Sequence, residues 1–276
     1  MTGANKACVS CMSFLKRIWR SALIAPFLVA TAQAVSLDWS AVTWTAGSLS
    51  NSYDVDAARP GNEITLTVSG NTPQLTTELV APNPMTPAIT TDFQGGLATA
   101  PNSLCLADNL TNQRQAVTVI ANFSAQWALG LQNVSLTLFD IDFSAASGNN
   151  YQHQLRGITA ISADGVTLVA PTITTSVNNT LLGSALTQVV DGTASTVDTG
   201  AGSGNRNVII SFGATAIKSF TFAYGSRTGA DPTYQHVGFS DITFTPVREL
   251  NPAWSAIGSC LIAAVLILRH SAKFRK

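Results

Sequence analysis

The chain is poor in charge: 11% of its 276 residues are Asp, Glu, Lys or Arg, against 46% hydrophobic. The formal net charge of zero hides a segregation. Lys6, Lys16, Arg17 and Arg20 stand near the start without acids, and Arg248, Arg269, Lys273, Arg275 and Lys276 stand near the end with only Glu249. Residues 35–246 keep six bases against fourteen acids, a net charge of −8, and Lys218 is their only lysine. A phosphate backbone is held by clustered Lys and Arg, so this balance excludes nucleic acid as a partner. Cysteine is equally scarce. Cys8, Cys11 and Cys260 lie in the end segments and Cys105 alone in the middle, which rules out a disulfide within residues 35–246 and leaves packing to hold them. Also missing are Gly-x-Ser-x-Gly and His-Glu-x-x-His. The run Gly200-Ala-Gly-Ser-Gly204 lacks the strand and helix that a phosphate loop needs, and reads as a turn.

The two ends carry addresses. Lys16-Arg17-Ile18-Trp19-Arg20 precedes the apolar stretch Ala22–Ala30 and then Thr31-Ala32-Gln33-Ala34. A basic region, a short apolar core and an Ala-x-Ala ending are the parts of a secretory signal, with cleavage after Ala34 by signal peptidase. At the other end, Pro252–Leu268 is 17 residues of mostly apolar chain followed by Arg269–Lys276. That is just long enough to span about 30 Å of hydrocarbon. Trp254 sits at the interface position, and the basic end stays cytoplasmic by the positive-inside rule. The expected organisation is a signal peptide over 1–34, an ectodomain over 35–246, and a sorting or anchoring tail over 247–276 whose hydrophobic helix covers 253–268. The protein is expected to cross the inner membrane and to reside at the envelope or surface, anchored at least transiently by that helix.

A Glu-centred motif, an apolar helix and an Arg/Lys-rich end resemble the PEP-CTERM sorting signals of Gram-negative bacteria. The usual core is Pro-Glu-Pro; here the matching stretch is Arg248-Glu249-Leu250-Asn251-Pro252, with the first Pro replaced and the second displaced. The resemblance implies processing by an exosortase-type enzyme, with Glu249, Asn251 and Pro252 as the sorting motif.

Between the ends, no stretch keeps a 3.6-residue apolar period, and period-two runs rich in β-branched residues dominate. The clearest strands are Ile64–Val68, Ala116–Phe123, Val134–Phe143, Gly157–Ser162, Val208–Phe212, Lys218–Tyr224 and Val237–Phe244. Gly, Asn, Asp and Pro clusters separate them. The fold class is therefore all-β, an antiparallel sandwich of jelly-roll type, flanked by the signal helix and the transmembrane helix. Residues 71–102, rich in Pro, Thr and Asn, read as a long loop or a pair of irregular edge strands. Trp39 and Trp44 read as core.

The alternation slips by one at two places, after Leu138 and after Phe239, which predicts a bulge or a change of covered face. That slip turns Asp140, Asp142 and Asp241 away from the core. These three could offer oxygens to Ca²⁺, or Asp140 and Asp142 could serve a glycosidase, against the plainer reading of solvated strand acids. Tyr-Gln-His occurs at 151–153 and 234–236, so Tyr151, His153, Tyr234 and His236 could line one rim that contacts a sugar or a metal, against the plainer and favoured reading of two unrelated strand entrances. The segments Leu138–Phe143 and His236–Phe244 are similar to sandwich ectodomains with PEP-CTERM tails and to last strands of carbohydrate-binding jelly rolls. The expected function is a non-catalytic surface or matrix protein for adhesion or association with extracellular polysaccharide. Its rivals are a carbohydrate-binding module and, behind that, an envelope hydrolase.

Overall fold

The computed structural model describes residues 33–57, 61–78, 82–91, 95–96, 102–146, 149–193, 204–227 and 235–247. Seventeen strands account for more than half of them: β1 (Val35–Leu37), β2 (Ser50–Tyr53), β3 (Ile64–Gly70), β4 (Ala88–Thr90), β5 (Ser103–Asp108), β6 (Ala116–Phe123), β7 (Leu131–Phe139), β8 (Phe143–Ala146), β9 (Asn149–Ser162), β10 (Leu168–Val169), β11 (Thr172–Thr175), β12 (Asn179–Leu182), β13 (Val189–Gly192), β14 (Val208–Ser211), β15 (Ile217–Ser226), β16 (Gln235–Phe239) and β17 (Ile242–Pro246). All pairings are antiparallel. Short 3₁₀ turns occur, and among the described residues no helix is long and apolar enough to cross a membrane. The expected tail helix over 253–268 and residues 1–32 of the signal segment fall outside the described residues.

The ladder forms two wings. In one, β2, β3, β6, β15 and β9 lie side by side, with β8, β10 and the β12–β13 pair along β9. In the other, β4, β5 and β16 lead to β7, beyond which come β14 and β11; β17, carrying β1, takes over beside β7 where β16 ends. A single bridge, Ile217 to Leu131, links β15 to β7 and makes the ladder continuous. The result is one curled antiparallel sheet where the sequence suggests two separate ones.

Alternation explains the core. In β6, Val117, Val119, Ala121 and Phe123 turn inward, and in β3 so do Ile64, Leu66 and Val68. Thr65 faces out and meets the Ser52 hydroxyl at 2.8 Å. Aromatic rings from the two wings meet between them: Phe123 lies 6.4 Å from Phe244, and Phe222 stands edge-on to Phe239 at 6.1 Å. Trp39 and Trp44 are buried in this core as the sequence suggests. Among the described residues of 71–102 there are β4, a 3₁₀ turn and isolated bridges.

Both slips of phase are strand breaks. The predicted strand Val134–Phe143 is β7 and β8 separated by residues 140–142, and Val237–Phe244 is β16 and β17 separated by 240–241. Asp140 turns the first corner with φ +65, a left-handed conformation that Asp tolerates better than most residues. β9 also departs from expectation. It begins at Asn149, eight residues before the predicted Gly157, because its first half alternates polar with polar.

Candidate functional site

The corner after β7 brings Asp140 and Asp142 inward, which corrects the expectation that they face away from the core. Asp142 is fully buried and Asp140 nearly so. Two free carboxylates there would carry a prohibitive desolvation cost, and Arg206, itself 1% exposed, offsets it. Its Nη1 lies 2.7 Å from Asp140 Oδ1 and 2.6 Å from Asp142 Oδ2. The Ile141 N–H donates to the Arg206 carbonyl at 3.1 Å, fixing the 204–206 turn against the corner. Close approach also needs a glycine in β13: a Cβ on Gly192 would stand 2.0 Å from the Asp142 carbonyl oxygen.

β9 sends Tyr151 and His153 to the same cluster, since residues two apart share a face. The Tyr151 hydroxyl donates to Asp142 Oδ2 at 3.1 Å, and the two rings stack with centroids 4.7 Å apart. His153 Nδ1 lies 2.7 Å from the Asp140 carbonyl oxygen and 3.2 Å from the Asp142 backbone nitrogen. Burial pushes the ring down to about 4, overriding the attraction of Asp140, so His153 is neutral at neutral pH. Its contact with Asp142 at 3.1 Å is accordingly not an ion pair.

His236, at the start of β16, behaves oppositely. Its Nε2 lies 3.3 Å from Asp140 Oδ2 and its Nδ1 3.9 Å from Glu78 Oε1. Burial lowers its pKa, but the Asp140 hydrogen bond and the charges of Asp140, Glu78 and Asp142 outweigh that and raise it. Burial likewise pushes Asp140 up, and His236, His153 and Arg206 together hold it below the usual carboxylate range. The Cys105 thiol, fully buried, donates to Glu78 Oε2 at 2.6 Å.

The structure thus joins two groups of residues that the sequence keeps apart: the aspartates Asp140 and Asp142, and the Tyr-Gln-His residues Tyr151, His153 and His236. They form a buried polar knot. Tyr151 and His153 are too deeply buried to line a rim, which corrects that expectation, and His236 retains 25% side-chain exposure. Asp241 stands elsewhere, accepting the Trp39 N–H at 2.9 Å, with burial raising its pKa and Asp38 as its charged neighbour. Tyr234, Ala32, Glu249, Asn251 and Pro252 lie outside the described residues, while Ala34 is exposed just before β1. Among the described residues no group of three His, Cys, Asp or Glu side chains is arranged to hold a metal ion. Arg206 and Glu78 escape sequence reading, although a buried carboxylate pair calls for a cation and residues 35–246 offer only six.

The outward face of β9 builds something different. Gln154 and Arg156, with Gln113 and Arg114 from the turn before β6 and Arg227 after β15, line an open cleft of about 440 Å³. These elements adjoin because Gly225 pairs with Ala116 on one side and Gln154 on the other. Arg156 clamps the turn, donating to the carbonyls of Gln113, Arg114 and Gln115 at 3.1–3.2 Å. Buried Asp191 receives the Gln154 amide at 2.8 Å and Arg227 Nη1 at 2.5 Å.

No protein-family model and no curated protein matches the chain. Among solved structures, a carbohydrate-binding module, TmCBM27, studied for specific mannan recognition, superposes at TM-score 0.31 and 10% identity, covering 79% of this chain and 100% of that one. A likeness this slight sets neither the architecture nor a ligand.

Proposed function

We propose that the chain is a non-catalytic, exported envelope protein whose β-rich body, a jelly-roll sandwich in its essentials, associates with extracellular polysaccharide. The observation that carries the non-catalytic reading is the placement of Asp140 and Asp142. A glycosidase needs two carboxylates that reach the scissile bond, and these are buried and held by Arg206. The same guanidinium bridges the two carboxylates, the role a shared Ca²⁺ would otherwise fill. The buried Cys105 thiol, bonded to Glu78, is no nucleophile for the same reason of access. What supports contact with a polymer is the open cleft on the other face of β9.

Export rests on the basic, apolar and Ala-x-Ala segments at the start, and anchoring on the PEP-CTERM-like tail with an exosortase-type enzyme as its processing partner. Mass spectrometry of the protein recovered from an envelope fraction tests this reading. Val35 is the expected first residue, and an intact N-terminal segment overturns the cleaved signal peptide.

A further inference from the structure

Residues 35–246 carry six basic side chains on a body of net charge −8, and three of them, Arg114, Arg156 and Arg227, enter one cleft. Each arginine has a distinct standing. Arg156 is committed to the 113–115 turn. Arg227 is pinned by Asp191 yet its side chain remains 52% exposed. The Arg114 guanidinium and the Gln113 amide have no partner among the described residues, although the Arg114 N–H is held by Asn112 at 3.0 Å. Arg156 thus frames the cleft, while Arg114 and the exposed part of Arg227 are left for a ligand. Guanidinium forks match carboxylate and sulfate groups in a bidentate manner.

The cleft also has a direction. Val247, where the chain leaves β17, donates its N–H to Gly130, next to the Ile217 end of β15. The cleft lies at the Ser226 end. Ten residues of strand separate the two ends, roughly 30 Å at about 3.4 Å per residue. A body held by its tail carries the cleft away from the point of attachment.

We propose that this cleft binds an anionic polysaccharide, Arg114 and Arg227 taking its carboxylate or sulfate groups and Gln113 a ring hydroxyl. The proposal rests on the polysaccharide reading above and narrows it to acidic chains. The described lining contains no aromatic ring on which a sugar could stack, so affinity comes from charge and falls steeply as salt screens it.

The test uses the full chain in detergent, against polygalacturonate and its methyl ester. The expected result is retention by the acid polymer, at least tenfold weaker retention by the ester, and loss of retention at high salt. Arg114→Glu should weaken acid-polymer binding at least tenfold, while Lys218→Glu, the same charge change at the far end of β15, leaves it unaltered. Equal effects of the two variants, or equal binding of acid and ester, overturn the cleft proposal while the broader reading stands. Retention of no polysaccharide, acidic or neutral, overturns both. Capture by phosphatidylglycerol vesicles without polymer binding, or competition by inorganic sulfate as effective as by the uronate units of the polymer, also overturns it, in favour of a membrane surface or a small-anion site.

Discussion

Removing the Arg206 guanidinium leaves Asp140 and Asp142 buried without their shared cation. Breaking a buried ion pair from one side costs about 3–5 kcal/mol, and Arg206→Met should lose that much in urea unfolding. Adding Asp140→Asn and Asp142→Asn to the variant should recover a large part, because the uncompensated charge is then gone. A second interior carboxyl is tuned by burial alone to a visible degree. Burial pushes Asp108 up to about 8, the Leu110 N–H offsetting only part. Its protonated form is therefore favoured by folding, and stability is lost as pH rises from about 4 towards about 8. Asp108→Asn should match the parent near pH 4 and exceed it at pH 8 by about 5 kcal/mol, read from unfolding curves at the two pH values. An equal difference at both would contradict it. The aspartate positions are legible in the sequence and their role is not. Arg206 is 66 residues beyond Asp140, in a Gly- and Ser-rich turn that carries no periodicity. Nothing local in Leu138–Phe143 distinguishes a solvated carboxylate from one that awaits a distant cation.

Gly157 governs the register of β9. Its φ is +60 and nothing lies within 4 Å of where a Cβ would be, so an added methyl meets no clash and only backbone strain. Across it, Thr221 pairs with Thr159 and Ala223 with Arg156, two steps on β15 against three on β9. Leu155 and Ile158 can both face the core for that reason. Gly157→Ala should cost about 1–2 kcal/mol, measured by denaturation, and a neutral result would mean the bulge relaxes freely. At this scale the sequence is readable where apolar residues alternate with Thr, as in β3 and β6. It fails where the inward residues are themselves polar. In Tyr151-Gln-His-Gln-Leu-Arg156 the inward set includes Tyr and His, and apolar counting sees no strand. It fails again in β5, whose six residues are all buried, since a strand covered on both faces has no alternation.

As a whole, the body is stabilised without an internal disulfide, and in its interior Arg206 pairs with Asp140 and Asp142. Melting curves with and without EDTA should coincide, because the cation between Asp140 and Asp142 is a side chain; a lower melting temperature in EDTA would reveal a bound ion instead. The end-to-end arrangement has a mechanical side. Val35 lies opposite Phe244, and Pro246 opposite Leu131, so β17 is gripped along its length by β1 and β7 up to the last residue before the tail. The bonds of an antiparallel ladder lie across the strands. Drag on a body tethered through its tail pulls β17 lengthwise, in shear, and every bond of the ladder shares the force instead of yielding in turn. The strand nearest the tether is thus the one best placed to withstand tension.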